Sequence, residues 1–124
     1  NLETRIIESS KTIIRLENSA DRLLLDVPCS GLGVLKRNPD AKWKLSPEFI
    51  KNVKELQEHI LQDYSNILKP GGLMVYSTCS ILPDENEKQI QRFLVNNADK
   101  FGWILHGPSP EEIMVAIATF AVPG

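Results

Sequence analysis

A chain of 124 residues, 42% hydrophobic and 24% charged, is sized for one compact domain with a modest core. Its formal net charge of -2 at pH 7 excludes a global basic field, so any nucleic-acid contact has to come from a local patch. No apolar stretch approaches the roughly 20 residues of a membrane span, and the opening "NLETRIIESSK" lacks the zones of a signal peptide; no membrane, a cytoplasmic setting and reduced thiols are expected.

In chain order, "ETRII" (3–7) reads as a strand and "KTIIRLEN" (11–18) as a short helix. "RLLLDV" (22–27) and "LMVYST" (73–78) are nearly continuous apolar runs, the pattern of parallel strands central in a sheet and covered on both faces. Between them, "SPEFIKNVKELQEHILQDYSNILKPGG" predicts one helix. Ser46 is a good N-cap and Pro47 suits the first helical position. Phe49, Val53, Leu56, Ile60, Tyr64 and Ile67 recur at three- and four-residue steps as its buried stripe. Pro70, Gly71 and Gly72 end it. Strand, crossover helix and strand make a βαβ unit, right-handed in a parallel sheet.

A second helix is expected from near Pro83, in "PDENEKQIQRFLVNN", with Asp84, Glu85 and Glu87 at the positive end of the helix dipole and Ile90, Phe93 and Leu94 buried. "EEIMVAIATFAV" (111–122) is apolar enough for a strand, with a short buried helix as the alternative.

Open α/β sheets bind ligands beyond the carboxyl ends of their strands. The loops "DVPCSG" and "STCSILPDENE" both start there, so the fold would bring Asp26, Cys29 and Cys79 to one site. The loop after Cys29 carries Lys36, Arg37, Lys42 and Lys44, the candidate basic patch. No metal is expected, because Cys29, His59, Cys79 and His106 show none of the short paired spacings of zinc sites.

Three blocks, "LLLDVPCSGLGVLKRNPDAKWK", "LKPGG" and "VYSTCSILPDENE", resemble consecutive motifs of the Sun-type (Fmu-type) RNA 5-methylcytosine methyltransferases, over roughly residues 20 to 96. The resemblance implies an α/β fold, part of the Rossmann-like class I S-adenosylmethionine-dependent methyltransferase sheet with flanking helices. It also implies RNA, ribosomal before transfer, as the partner and a two-cysteine covalent mechanism. Cys79 would be the nucleophile that adds to C6 of cytosine, and Cys29 would assist elimination. Asp26 would hydrogen-bond the cytosine edge and approach the cofactor, with Pro28 holding the turn that aims it. Thr78 and Ser80 flank the nucleophile in supporting positions, and Glu85, Asn86 and Glu87 would hold its loop. Glu8 falls near the place of an acid directed at the cofactor adenine. Lys36, Arg37 and Lys42 would contact phosphates, while Trp43 is expected to pack rather than stack on a base.

The chain contains no glycine-rich cofactor loop of the family's kind, so residues 1–124 are expected to be the C-terminal part of a methyltransferase catalytic domain, inactive alone and self-associating through exposed sheet surface. Plainer readings stand beside these. Cys29 and Cys79 could be buried structural thiols, Asp26 a turn cap, and the basic residues a solvated surface. Two other functions also remain open: a noncatalytic RNA-binding or assembly module, and a DNA cytosine-5 methyltransferase using the Pro-Cys cysteine as nucleophile.

Overall fold

A computed structural model describes residues 2–101, 104–106 and 116–121 of the chain, with side chains described over 2–97. The elements are α1 (Ser10–Arg15), β1 (Ala20–Asp26), α2 (Pro47–Tyr64), β2 (Leu68–Thr78), α3 (Glu87–Phe101), β3 (Ile104–His106) and β4 (Ala116–Ala121). They build a four-stranded sheet in the order β1-β2-β4-β3. β1 and β2 are parallel, while β4 runs antiparallel to both β2 and β3.

α2 starts as its sequence dictates: the Ser46 hydroxyl accepts from the Phe49 N–H at 3.1 Å, and Pro47 follows it. A single 3-10 turn, Ser65–Ile67, links α2 to β2. A second, Pro83–Glu85, comes before α3, which therefore begins at Glu87 rather than at Pro83.

The core lies on one face of the sheet, where Leu25 and Val27 meet Met74 and Tyr76 beneath Leu61 of α2 and Ile90 and Phe93 of α3. Each such side chain contributes about 1.5–3 kcal/mol by leaving water. The buried stripe of α2 is rotated from the expected one: Val53, Gln57 and Leu61 are buried, and Leu56 is 45% exposed. Gln57 displaces Leu56 because buried polar groups under α2 need its amide.

Three further expectations are corrected. β1 has a strand on one side only among the described residues, and Leu24 is 67% exposed, so among these residues it is an edge strand rather than a central one. Residues 3–7 form no strand, because no described strand lies beside them to complete a ladder. The terminal apolar segment is strand over Ala116–Ala121; its residues 111–115 and 122 lie outside the described ones.

Candidate active site

Parallel pairing in register sets Asp26 opposite Ser77, and the Val27 N–H continues the ladder to Ser77 O at 3.1 Å. The two chains therefore leave the sheet side by side, Cys29 three residues beyond β1 and Cys79 at the end of β2. Their Sγ atoms stand 2.9 Å apart, and both cysteines are free and half-buried. A third contact fixes the pair. The Gly33 N–H donates to Cys79 O at 2.9 Å, and a Cβ at position 33 would lie 2.6 Å from that oxygen, so the approach requires glycine. Gly31, at φ 73°, makes the turn that brings the loop back.

Glu85 ties the two cysteine loops together. It is wholly buried, and four donors converge on its carboxylate. Oε1 accepts from the Ser30 N–H at 2.7 Å and from Gln57 Nε2 at 3.1 Å. Oε2 accepts from the Ser30 hydroxyl at 2.6 Å and from the Ser80 hydroxyl. Ser30 follows Cys29 and Ser80 follows Cys79, so one carboxylate clamps both thiols through their neighbours. Its backbone carbonyl also accepts from Tyr76 Oη at 2.8 Å, and burial, then the Glu85 charge, raises that phenol above its ordinary range.

Asn86 completes the hold on Cys79. Its Oδ1 accepts from Thr78 Oγ1 at 2.6 Å and its Nδ2 donates to Ser80 O at 2.9 Å, fixing the residues before and after the thiol. Glu87, expected beside these two, is exposed at the first position of α3. Its neighbours Glu85, the last residue of the 3-10 turn, and Asn86, which follows it, are both buried.

Burial, then the hydrogen bond with Cys79, pushes the Cys29 thiol up to about 11. Cys29 therefore keeps its proton at neutral pH, and either sulfur can be the donor of the contact between them.

The other residues singled out by sequence are placed as follows. Asp26 is exposed at the end of β1, and Glu8 is exposed in the segment ahead of α1; neither side chain bonds another described residue. Pro28 is exposed, and its carbonyl accepts from Gln57 Nε2 at 2.8 Å. Lys36, Arg37 and Lys42 are exposed and form no ion pair among the described residues. Trp43 does not pack: it is 78% exposed, with Lys42 Nζ 4.6 Å from its ring centroid. It stands on a 3-10 segment, Pro39–Lys44, that buries none of its residues. Gln57 was missed by sequence reasoning, since a glutamine amid a charged helix face carries no local sign of burial.

Comparison with known proteins extends the picture. Residues 3–116 match the family model for 16S rRNA methyltransferase RsmB/F. The chain is 51% identical over 79 residues to ribosomal RNA small subunit methyltransferase B of Pasteurella multocida, covering 64% of this chain and 18% of that one. It is 47% identical over 94 residues to the protein of the same name from Shewanella oneidensis, covering 75% and 22%. Among solved structures, a methyltransferase homolog protein from Pyrococcus horikoshii superposes with a TM-score of 0.68 at 28% identity, covering 94% of this chain and 44% of that one. The chain thus spans about a fifth of the length of the curated relatives it matches. The sheet with its flanking helices is part of a Rossmann-like methyltransferase fold.

Proposed function

The chain belongs to the 16S rRNA methyltransferase RsmB/F family, and from that premise we propose that it carries the two-cysteine centre of an RNA cytosine-5 methyltransferase acting on ribosomal RNA in the cytoplasm. The observation that carries the reading is the pair of thiols 2.9 Å apart at the carboxyl edge of parallel strands. In this reading residues 1–124 form the C-terminal part of the catalytic domain, and the activity belongs to the complete protein.

S-adenosylmethionine supplies the methyl group when bound. The fit to it rests on Asp26, which stands exposed and unpartnered among the described residues at the strand end where such ligands sit. Glu8 has no contact tying it to that edge.

The Cys79 thiolate adds to C6 of cytosine, forming the S–C6 bond and moving the ring π electrons toward C5, which becomes nucleophilic. Asp26 hydrogen-bonds the base edge where charge develops. After methyl transfer the C5 proton passes to a water, the C5–H electron pair re-forms the C5–C6 double bond, and the S–C6 bond breaks with its pair returning to the Cys79 sulfur. The departing Cys79 thiolate then receives the hydrogen bond of the Cys29 S–H beside it. The closeness of the two sulfurs supports this part for Cys29 in product release. Lys36, Arg37 and Lys42 hold the RNA phosphates while the target base is turned out or presented single-stranded. Self-association through the open sheet face around Leu24 belongs to the same reading; a concentration-independent monomer in sedimentation would remove it.

The test is covalent trapping of the complete protein on RNA containing 5-fluorocytosine with S-adenosylmethionine. An adduct lost in Cys79→Ala but kept or accumulated in Cys29→Ala is expected. Loss confined to Cys29→Ala would transfer the nucleophile to Cys29 and favour the DNA-type reading; no adduct in any variant would favour a noncatalytic module.

A further inference from the structure

Both peptide planes that flank Cys29 are held from the same place. The Pro28 carbonyl, on the plane before Cys29, accepts from Gln57 Nε2 at 2.8 Å. The Ser30 N–H, on the plane after it, donates to Glu85 Oε1 at 2.7 Å. The same Gln57 Nε2 donates its other hydrogen to that Glu85 oxygen at 3.1 Å, so the two anchors form one unit. Fixing both planes fixes the direction of the Cα–Cβ bond of Cys29, and hence where its sulfur stands relative to Cys79.

Gln57 is wholly buried and its amide has no spare atom. Its Oε1 accepts from Gln89 Nε2 at 3.3 Å; Gln89 is itself bonded to Lys54 O at 2.7 Å and to Arg92 Nη2 at 2.9 Å. Only one orientation of the amide works, because a flip would set its oxygen against the Pro28 carbonyl and the Glu85 carboxylate. Neither a carboxylate nor an apolar side chain can supply two donors there.

We propose that Gln57 is a positioning residue of the reaction, aiming Cys29 at Cys79 through the Pro28 carbonyl and Glu85. The inference rests on the two-cysteine reading for its kinetic consequence, but its structural consequence is independent of it. Since Cys29 acts at elimination, a misaimed Cys29 slows release of the adduct and leaves its formation intact.

The experiment compares wild type with Gln57→Met and Gln57→Glu in the complete protein. Three quantities are followed: the rate of adduct formation on 5-fluorocytosine RNA, turnover on ordinary RNA, and the pH profile of Cys29 alkylation without RNA. The expected result is adduct formation within about twofold of wild type, KM unchanged, and kcat lower by about tenfold to a hundredfold. The Cys29 alkylation midpoint falls from about 11 as the thiol leaves its contact with Cys79. Gln57→Glu regains only part of its turnover as pH drops, because a protonated carboxyl has one donor for the two acceptors. Folded variants with a wild-type Cys29 profile and unslowed turnover overturn the proposal. Unfolding of both variants overturns it as well unless Gln57→Asn, which withdraws the amide by one methylene, folds and moves the Cys29 profile. A wild-type protein that forms no adduct sinks the methyltransferase reading, while the alkylation profiles still judge Gln57.

Discussion

Glu85 takes Ser30 by two bonds at once, the backbone N–H at 2.7 Å on one carboxylate oxygen and the hydroxyl at 2.6 Å on the other. The second oxygen also serves Ser80, so removing the carboxylate strands donors in both cysteine loops together. Glu85→Ala is expected to lower stability by about 3–5 kcal/mol in urea denaturation, the range for breaking a fully buried polar cluster. Glu85→Gln keeps the shape but turns an NH2 toward hydroxyls that need an acceptor. It should cost about 1–3 kcal/mol. A Glu85→Ala protein within 1 kcal/mol of wild type would show the clamp to be incidental.

Gly33 tests the same edge from the other loop. An alanine Cβ 2.6 Å from the Cys79 carbonyl oxygen has to push backbone, because no flexible side-chain end is there to yield. The Gly33 N–H bond to that oxygen would lengthen with it. Gly33→Ala should destabilise by about 1–3 kcal/mol and slow adduct formation at Cys79, unlike the Gln57 variants. Thermal melting and trapping on 5-fluorocytosine RNA separate the two effects; adduct formation at the wild-type rate would show that the contact does not position Cys79.

How much of this was legible in the sequence follows from which signals are local. The apolar runs of β1 and β2 and the Ser46–Pro47 start of α2 are properties of a few adjacent residues and lie in the expected elements, but α2 ends at Tyr64 and β2 starts at Leu68, so Pro70, Gly71 and Gly72, expected to end the helix, lie within the strand. Parallel register then brings the loops that carry Cys29 and Cys79 to one edge of the sheet. Burial on one face versus two was not legible, because Leu24 looks like its neighbours Leu23 and Leu25 and differs only in what covers it. Trp43 misled in the opposite way, as a large apolar ring left in solvent beside Lys42. The polar cluster was hidden for a third reason. Glu85 and Gln57 are residue types that normally face water, and only partners from three separated segments make their burial affordable.

The acid–base behaviour of Cys29 gives a test that needs no substrate. Its thiol is raised by burial and by the side chain of Cys79, while the backbone N–H groups of Cys79 and Gly31 pull the other way. Cys79→Ala removes only the second raising cause. Because the thiolate is the reactive form, the midpoint of Cys29 alkylation should fall from about 11. It should stay above the ordinary value of about 8.5, because burial persists. Alkylation followed by mass spectrometry between pH 7 and pH 11.5, bounds chosen to bracket roughly that interval, reads the shift. An unmoved midpoint would show that the two sulfurs do not interact in solution.

The basic loop separates charge from stacking. Lys36, Arg37 and Lys42 are exposed and free of ion pairs among the described residues, so a bound phosphate would cost Lys36 and Arg37 no existing partner and Lys42 only its place over the Trp43 ring. Each phosphate contact on a single-stranded segment contributes a slope of about 0.7 to the fall of log affinity with log salt. Replacing all three by alanine in the complete protein should therefore flatten the slope by about 2. Trp43→Ala should act differently, weakening binding by about 1–3 kcal/mol at every salt concentration if the exposed ring takes a base. Lys42 connects the two effects, since its ammonium lies 4.6 Å from the ring centroid and competes with a base for that face. Lys42→Ala alone should lose slope yet lose less affinity at high salt than Lys36→Ala, because the uncovered indole is freed to stack. Equal losses for the two lysines at high salt would mean that Trp43 contributes no stacking surface.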